Sequence, residues 1–138
     1  MKTEKITIEA LVKADAEKTW QYYTAPEHII NWNFASPDWH CPEAENDLQV
    51  GGKYSATMAA KDGSFSFDFW GIYSDLNIGK SYTLALGDLR RVEVTLTPDG
   101  DSTLVTVTFD AETENDVEMQ RNGWQAILNN FEQYAEAN

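Results

Sequence analysis

Apolar and polar residues alternate with a period of two along much of the chain, which is typical of half-buried β-strands. In residues 3–12, Ile6 and Ile8 share one face of the predicted strand, while Thr7 and Glu9 share the other. The alternation returns after residue 50 in segments separated by the turn signals Lys61-Asp62-Gly63, Asn77-Ile78-Gly79-Lys80, Gly87-Asp88 and Pro98-Asp99-Gly100-Asp101. Because short turns join antiparallel neighbours, this pattern predicts an antiparallel sheet.

One predicted strand, residues 65–76, concentrates aromatic side chains on a single face. That face carries Phe65, Phe67, Phe69, Gly71 and Tyr73. We expect Gly71 to leave a gap there, although close backbone contact would also explain a glycine. A second glycine, Gly123, stands inside a predicted helix, where it costs about 1 kcal/mol against alanine. Either close packing on the sheet or room for a ligand would offset that cost.

Two short helices are predicted before the meander of strands. Asp15 is a suitable N-cap for a helix from Ala16 to about Tyr23. Pro26 suits the first turn of a second helix that runs towards Trp32. The chain therefore begins with a strand followed by two helices.

A long helix is predicted at the end of the chain, where the apolar period changes from two to 3.6. The residues that recur at helical spacing are Val117, Trp124, Ile127, Leu128, Phe131 and Tyr134. Asn115 and Glu118 resemble a capping box, so we expect the helix to run from about Asn115 to Ala135. It is long enough to cover a one-faced sheet, and together they predict an α+β fold of about seven strands in the order β-α-α-β6-α.

Residues 33–47 show no clear periodicity and are predicted to form a long loop. Two prolines, Pro37 and Pro42, rule out a regular helix there. His40 lies between Trp39 and Cys41, so it could donate a hydrogen bond to a ligand or act as an acid or base, or simply satisfy backbone groups. A metal site from His40, Cys41, Glu43, Glu45 and Asp47 has no recognised ligand spacing, and no metal is expected.

Composition narrows the class of protein. The 138 residues favour one domain, 1–138, and include 5 Trp, 6 Tyr and 6 Phe, which either fill a large core or partly line a cavity. The single cysteine excludes an intramolecular disulfide, and the alternating pattern after Met1 is unlike a signal peptide. No segment approaches the length of about 18 apolar residues that spans a membrane. These features favour the cytoplasm.

The charge and the motifs exclude several functions. The net charge is −13, with 23 acidic and 10 scattered basic residues, so nucleic acids and anionic membrane surfaces are poor partners. The sequence contains no G-x-x-x-x-G-K-[ST], G-x-G-x-x-G or H-E-x-x-H motif. No cofactor is therefore expected.

The chain nevertheless resembles a known family along nearly its whole length. The matching residues are Trp20, Pro26-Glu27, Trp32, Asp47-Leu48, Gly51-Gly52, Asp62-Gly63, the segment Gly71-Ile72-Tyr73-Ser74-Asp75-Leu76, Gly123-Trp124, Leu128 and Tyr134. In their order and spacing they are similar to the Bet v 1-like (START-like, SRPBCC) superfamily, and more narrowly to the AHSA1-like domains named for the activator of Hsp90 ATPase. Asp75 and Asn77 depart from the usual pattern of Glu and Pro. The resemblance implies a helix-grip fold, with a cavity between the sheet and the last helix, but no shared catalytic signature.

The expected wall of that cavity combines the family resemblance with strand parity. It consists of Trp32, Trp39, His40, Tyr54, Met58, Phe67, Phe69, Tyr73, Leu84, Arg90, Gln120, Trp124 and Leu128. Arg90 shares the parity of Val92 and is expected either to point inwards as an anion anchor or to lie exposed at the strand end. The mouth is expected near Trp39 and His40.

Three functions remain open from the sequence. The first is binding of a small hydrophobic or amphipathic molecule, since pockets of this kind are mostly apolar. The second is a cyclase- or hydrolase-type enzyme acting on an aromatic or polyketide-like substrate, for which only His40 and Arg90 are candidate groups. The third, implied by the family name, is an interaction module that stimulates a chaperone ATPase.

Overall fold

The computed structural model describes residues 4–138, which form one antiparallel sheet and three helices. The elements in chain order are β1 (Lys5–Val12), α1 (Ala16–Thr24), α2 (Pro26–Ile29), β2 (Trp39–Asn46), β3 (Lys53–Ala60), β4 (Ser66–Asn77), β5 (Ser81–Leu86), β6 (Arg91–Asp99), β7 (Ser102–Asp110) and α3 (Val117–Ala137). The predicted order of elements is confirmed. The predicted start of the first strand at residue 3 lies outside the described residues.

The seven strands lie side by side in the order β1-β7-β6-β5-β4-β3-β2, and every neighbouring pair is antiparallel. Burial alternates strictly along β1 and β7, as expected of strands with one face on the core. The sheet curls into a half-barrel around α3, which buries Leu128, Phe131 and Ala135. This arrangement confirms the α+β helix-grip fold.

The position of α3 leaves space between this helix and the central strands of the sheet. The backbone of α3 approaches that of β1 most closely and also contacts α1. It stands further from the central strands, so long side chains have to bridge the distance. The space between α3 and the middle of the sheet therefore depends on how completely those side chains fill it.

Local sequence accounts for the two short helices. Asp15 is the N-cap of α1, as predicted. Its carboxylate accepts a hydrogen bond of 2.8 Å from the backbone N–H of Lys18. Pro26 begins α2 as predicted, but the helix ends at Ile29 rather than near Trp32. Beyond this end, the Trp32 indole N–H donates to the backbone carbonyl of Tyr22 at 3.0 Å, which fixes the ring against α1.

The predicted loop over residues 33–47 is wrong for its second half, because Trp39–Asn46 forms β2. Its alternation is broken by a register shift between His40 and Glu43, where an extra residue changes the face of the side chains that follow. Pro42 lies in this irregular stretch. An edge strand tolerates such a proline because one side of its backbone has no ladder to join.

The predicted capping box at the start of α3 is also wrong. The helix begins at Val117, and its N-cap Asp116 makes no side-chain capping bond. The Gln120 side chain ties the preceding segment to the helix instead. Its amide oxygen accepts from the Glu112 N–H at 2.9 Å, and its nitrogen donates to the Asn115 carbonyl at 2.8 Å. These bonds satisfy backbone groups of the segment that precedes α3, not the N–H groups of the first turn of the helix.

Candidate ligand-binding site

A cavity of about 310 Å³ lies between α3 and the concave face of the sheet. Its wall is mostly apolar and is formed by Ile8, Tyr23, Trp32, Asn33, Tyr54, Met58, Phe67, Phe69, Tyr82, Leu84, Arg90, Val92, Val107, Glu112, Asn115, Gln120, Trp124, Ile127 and Leu128. Of the thirteen residues expected from the sequence, ten belong to this wall: Trp32, Tyr54, Met58, Phe67, Phe69, Leu84, Arg90, Gln120, Trp124 and Leu128. The structure thus brings most of the expected residues around one space.

Trp124 spans the distance between α3 and the sheet. Its ring stacks on Phe109 of β7 with 3.9 Å between centroids and meets Phe69 of β4 edge-on at 5.8 Å. Such contacts are favourable for aromatic pairs and leave little rotational freedom. These two contacts hold the Trp124 ring in place at one side of the cavity.

The cavity continues into a shallow surface groove of about 340 Å³. The two spaces share the wall residues Met58, Phe67, Asn115, Gln120, Trp124 and Ile127. Trp39, Met119 and Gly123 line the groove but not the inner cavity. A Cβ added to Gly123 would meet no atom within 4 Å, so this glycine faces open space. The groove adjoins the cavity, and Trp39, which was expected at the mouth, lines it.

Two of the expected residues line neither space. His40 belongs to β2 and lines neither the cavity nor the groove, although the adjacent Trp39 lines the groove. Tyr73 is fully buried behind the wall, where its hydroxyl donates to Asn46 Oδ1 at 2.7 Å. Burial raises the pKa of Tyr73 to about 12. Tyr73 thus points to the same face of β4 as the wall residues Phe67 and Phe69 but does not line the cavity.

Arg90 lies at the cavity wall, but its charge is already paired. Its Nε donates to Asp88 Oδ2 at 2.6 Å, and Asp88 also accepts from the Arg90 backbone N–H at 3.2 Å. Burial is the largest single effect on the pKa of Asp88 and raises it, but the hydrogen bonds and the charge of Arg90 together outweigh burial and hold that pKa below its ordinary value. The expectation of a free inward anion anchor is therefore not met.

Gly71 does not leave the expected gap. A Cβ there would lie 3.0 Å from the Ala85 carbonyl oxygen and 3.1 Å from Leu86 Cδ2. These distances are closer than nearly all real Cβ contacts, because β5 packs tightly beside this point of β4. Close approach, the alternative explanation, accounts for this glycine.

The wall also contains tyrosines that the sequence analysis did not select. Tyr23 comes from α1 and Tyr82 from β5, and together with Tyr54 they occupy the inner end, since none of the three lines the groove. Burial raises the pKa of each of these phenols well above its ordinary value. Tyr82 has the same strand parity as Leu84, a signal that could have identified it.

Two other kinds of site were considered in the described part of the chain. No group of three or more His, Cys, Asp or Glu residues among residues 4–138 is placed to hold a metal ion. In the same residues, no helix has the length and apolar character needed to cross a bilayer.

A curled antiparallel sheet, a long last helix and an aromatic cavity between them define a helix-grip domain of the Bet v 1-like superfamily. Residues 13–136 match the family model described as activator of Hsp90 ATPase homolog 1-like protein. This match covers most of the sequence, so the chain belongs to that family.

Solved structures agree with this assignment. The AHSA1-like protein from Aeromonas hydrophila, studied by solution NMR, is 41% identical, with a TM-score of 0.91 over 97% of this chain and 93% of that chain. A protein of Cytophaga hutchinsonii is 48% identical, with a TM-score of 0.83 and the same coverage. A crystal structure from Nitrosomonas europaea, 18% identical with a TM-score of 0.83 over 96% of this chain and 94% of that one, shows the fold alone. No curated protein matches the sequence.

Proposed function

We propose that the protein binds a small hydrophobic or amphipathic molecule in the cavity between α3 and the sheet. The observation that carries this proposal is the partly open cavity of about 310 Å³ with a mainly apolar wall. Native interiors contain few voids larger than a water molecule, and sites for small ligands begin at about 300 Å³. The adjoining groove supplies a path from solvent to this space.

The groups on the wall support binding better than catalysis. The titratable wall residues are Tyr23, Tyr54, Tyr82, Arg90 and Glu112. The ordinary pKa of a phenol is about 10, so these phenols keep their protons at neutral pH, and burial raises the pKa of each further. Arg90 is paired with Asp88. His40, the candidate acid or base, is not on the wall. A cyclase- or hydrolase-type reaction therefore ranks second.

A role in stimulating a chaperone ATPase ranks third. This alternative would lead if side chains filled the interior, because the fold would then offer only its outer surface. The cavity volume of about 310 Å³ argues against that condition. The family name remains its main support.

The cytoplasm is our proposed location. Cys41 is the single cysteine of the sequence and is buried, with its thiol 3.3 Å from the Glu43 carbonyl oxygen that accepts from it. Burial raises the pKa of this thiol to about 11, so it stays protonated. A protected thiol of this kind suits a reducing compartment.

Fluorescence of the neutral probe N-phenyl-1-naphthylamine tests the binding function. We expect saturable binding to the native protein in the micromolar range, with a blue shift of the emission. Gly123→Phe should weaken binding at least about tenfold, since its ring would occupy the groove and reach the shared wall. Gly123→Ala is the matched control, because a single methyl leaves the groove open.

Two results would contradict the proposal. One is the absence of saturable probe binding to the native protein. The other is equal affinity of the Phe and Ala variants, which would place the bound probe away from the groove and cavity. Circular dichroism of both variants shows whether α3 and the sheet are intact.

A further inference from the structure

The inner end of the cavity carries three phenol hydroxyls that come from different elements. They belong to Tyr23 of α1, Tyr54 of β3 and Tyr82 of β5. Tyr54 and Tyr82 are only 7% and 5% exposed. The ring centroids of Tyr23 and Tyr82 are 6.4 Å apart, and Tyr54 lines the same cavity as both. A purely hydrophobic ligand needs no hydroxyl groups on the wall, and burying such groups without hydrogen-bond partners costs free energy. The three hydroxyls therefore suggest a ligand with a polar group.

The cluster has more protons to donate than the protein accepts. Even a hydrogen bond between the hydroxyls of Tyr23 and Tyr82, whose ring centroids are 6.4 Å apart, would use one of their two protons and leave the other free. The Tyr54 hydroxyl has no hydrogen-bond partner among residues 4–138. In those residues no fully enclosed side-chain oxygen or nitrogen lacks a partner, so an unpartnered hydroxyl here faces the open cavity. Two donors are therefore available to a ligand.

The charges around the cavity decide which acceptor these donors suit. The wall cation Arg90 is paired with Asp88, and Glu112 accepts bonds from Asn115. A carboxylate entering the inner end would lose its hydration without gaining a free cation, which is costly. A neutral carbonyl oxygen has a smaller desolvation cost and accepts two hydrogen bonds. The phenols remain donors at neutral pH, since the ordinary pKa of a phenol is about 10 and burial raises the pKa of each further.

The layout of the cavity gives such a ligand a direction. Met58 belongs to both the groove and the cavity, while Tyr54 belongs to the inner cavity alone. The two residues are four positions apart on β3, a distance of about 13 Å along the strand. The wall between them includes Phe69 and Leu84. A polar group at one end and an apolar body behind it would match this gradient.

We propose that the tyrosine cluster, Tyr23, Tyr54 and Tyr82, is a hydrogen-bond donor subsite for a neutral carbonyl oxygen, so that the ligand class is an apolar, ring-containing carbonyl compound bound with its carbonyl innermost. This inference rests on the proposed binding function. It assigns the orientation and the polar group of the ligand, which cavity volume alone does not.

Three probes of nearly equal shape test the subsite: 2-acetonaphthone, 2-ethylnaphthalene and 2-naphthoate. Titration should show that the native protein prefers the ketone to the ethyl compound by roughly tenfold, and that the carboxylate binds more weakly than the ketone at pH 8. Tyr54→Phe and Tyr82→Phe should each reduce affinity for the ketone several-fold without changing affinity for 2-ethylnaphthalene. Tyr134→Phe is the matched control, because its hydroxyl bonds to His28 Nδ1 at 2.7 Å away from the cavity wall.

A spectroscopic measurement separates hydrogen bonding from a general effect on structure. The carbonyl ¹³C signal of labelled 2-acetonaphthone should move downfield on binding to the native protein and less so in Tyr54→Phe. Equal affinity for the ketone and the ethyl compound would overturn the subsite and leave the binding function standing. Tightest binding of 2-naphthoate would overturn the assignment of a neutral acceptor. Failure of all three probes to bind would contradict the binding function and the subsite together.

Discussion

Tyr54 and Tyr73 lie on neighbouring strands and are both buried, yet their hydroxyl groups have different surroundings. The Tyr73 hydroxyl donates to Asn46 Oδ1 at 2.7 Å, and the Asn46 amide in turn donates to the Thr24 carbonyl. The Tyr54 hydroxyl faces the cavity. Two tyrosines of similar burial thus differ in whether the protein itself uses the polar group.

This difference predicts that the same substitution changes the free energy of unfolding by different amounts at the two positions. Tyr73→Phe should lower the free energy of unfolding by about 1–3 kcal/mol, because Asn46 Oδ1 loses its donor in a part-buried position. Tyr54→Phe should change it by no more than about 0.5 kcal/mol, since no protein bond is lost. Urea unfolding of both variants checks this. A larger loss for Tyr54→Phe than for Tyr73→Phe would show that the Tyr54 hydroxyl has a structural partner.

Strand parity made part of the wall predictable from the sequence. Met58, Phe69 and Leu84 lie on it because side chains alternate strictly across a sheet. Gly71 shows the limit of this argument. A missing side chain has the same parity whether it makes room for a ligand or for β5, and only the 3.0 Å approach to the Ala85 carbonyl distinguishes the two.

At the level of the elements, the sequence failed where hydrogen bonding between distant segments replaced a local signal. β2 lacks alternation because its register shifts between His40 and Glu43, and it is a strand only through its pairing with β3. The start of α3 is held by Gln120 rather than by the capping pair of Asn115 and Glu118. Pairing and side-chain reach of this kind depend on the folded structure, so a local pattern does not reveal them.

The middle of α3 carries a residue that is unfavourable for the helix itself. Gly123 faces the groove, and an added Cβ would contact nothing within 4 Å. Gly123→Ala should therefore raise the free energy of unfolding by about 0.5–1 kcal/mol, the difference in helix propensity. Thermal or urea unfolding measures this. Destabilisation by alanine would mean that the groove closes over Gly123 and that this part of α3 packs against another segment.

At the scale of the whole molecule, the cavity follows from the way a curled sheet holds one helix. The backbone of α3 lies nearest β1 and α1, and Trp124 spans the remaining distance by contacting Phe109 and Phe69. The order of strands and helices made the fold predictable. The cavity volume was not, because it depends on the separation between α3 and the central strands and on the rotamers of the side chains between them.

The central claim is that a small apolar molecule binds inside this space, and intermolecular nuclear Overhauser effects locate such a molecule directly. With N-phenyl-1-naphthylamine bound to methyl-labelled protein, we expect cross-peaks to the methyl groups of Met58, Leu84 and Leu128, which line the cavity. Leu89, which is 84% exposed, should show none. Cross-peaks confined to exposed methyl groups such as that of Leu89, with none to the three cavity residues, would contradict the account.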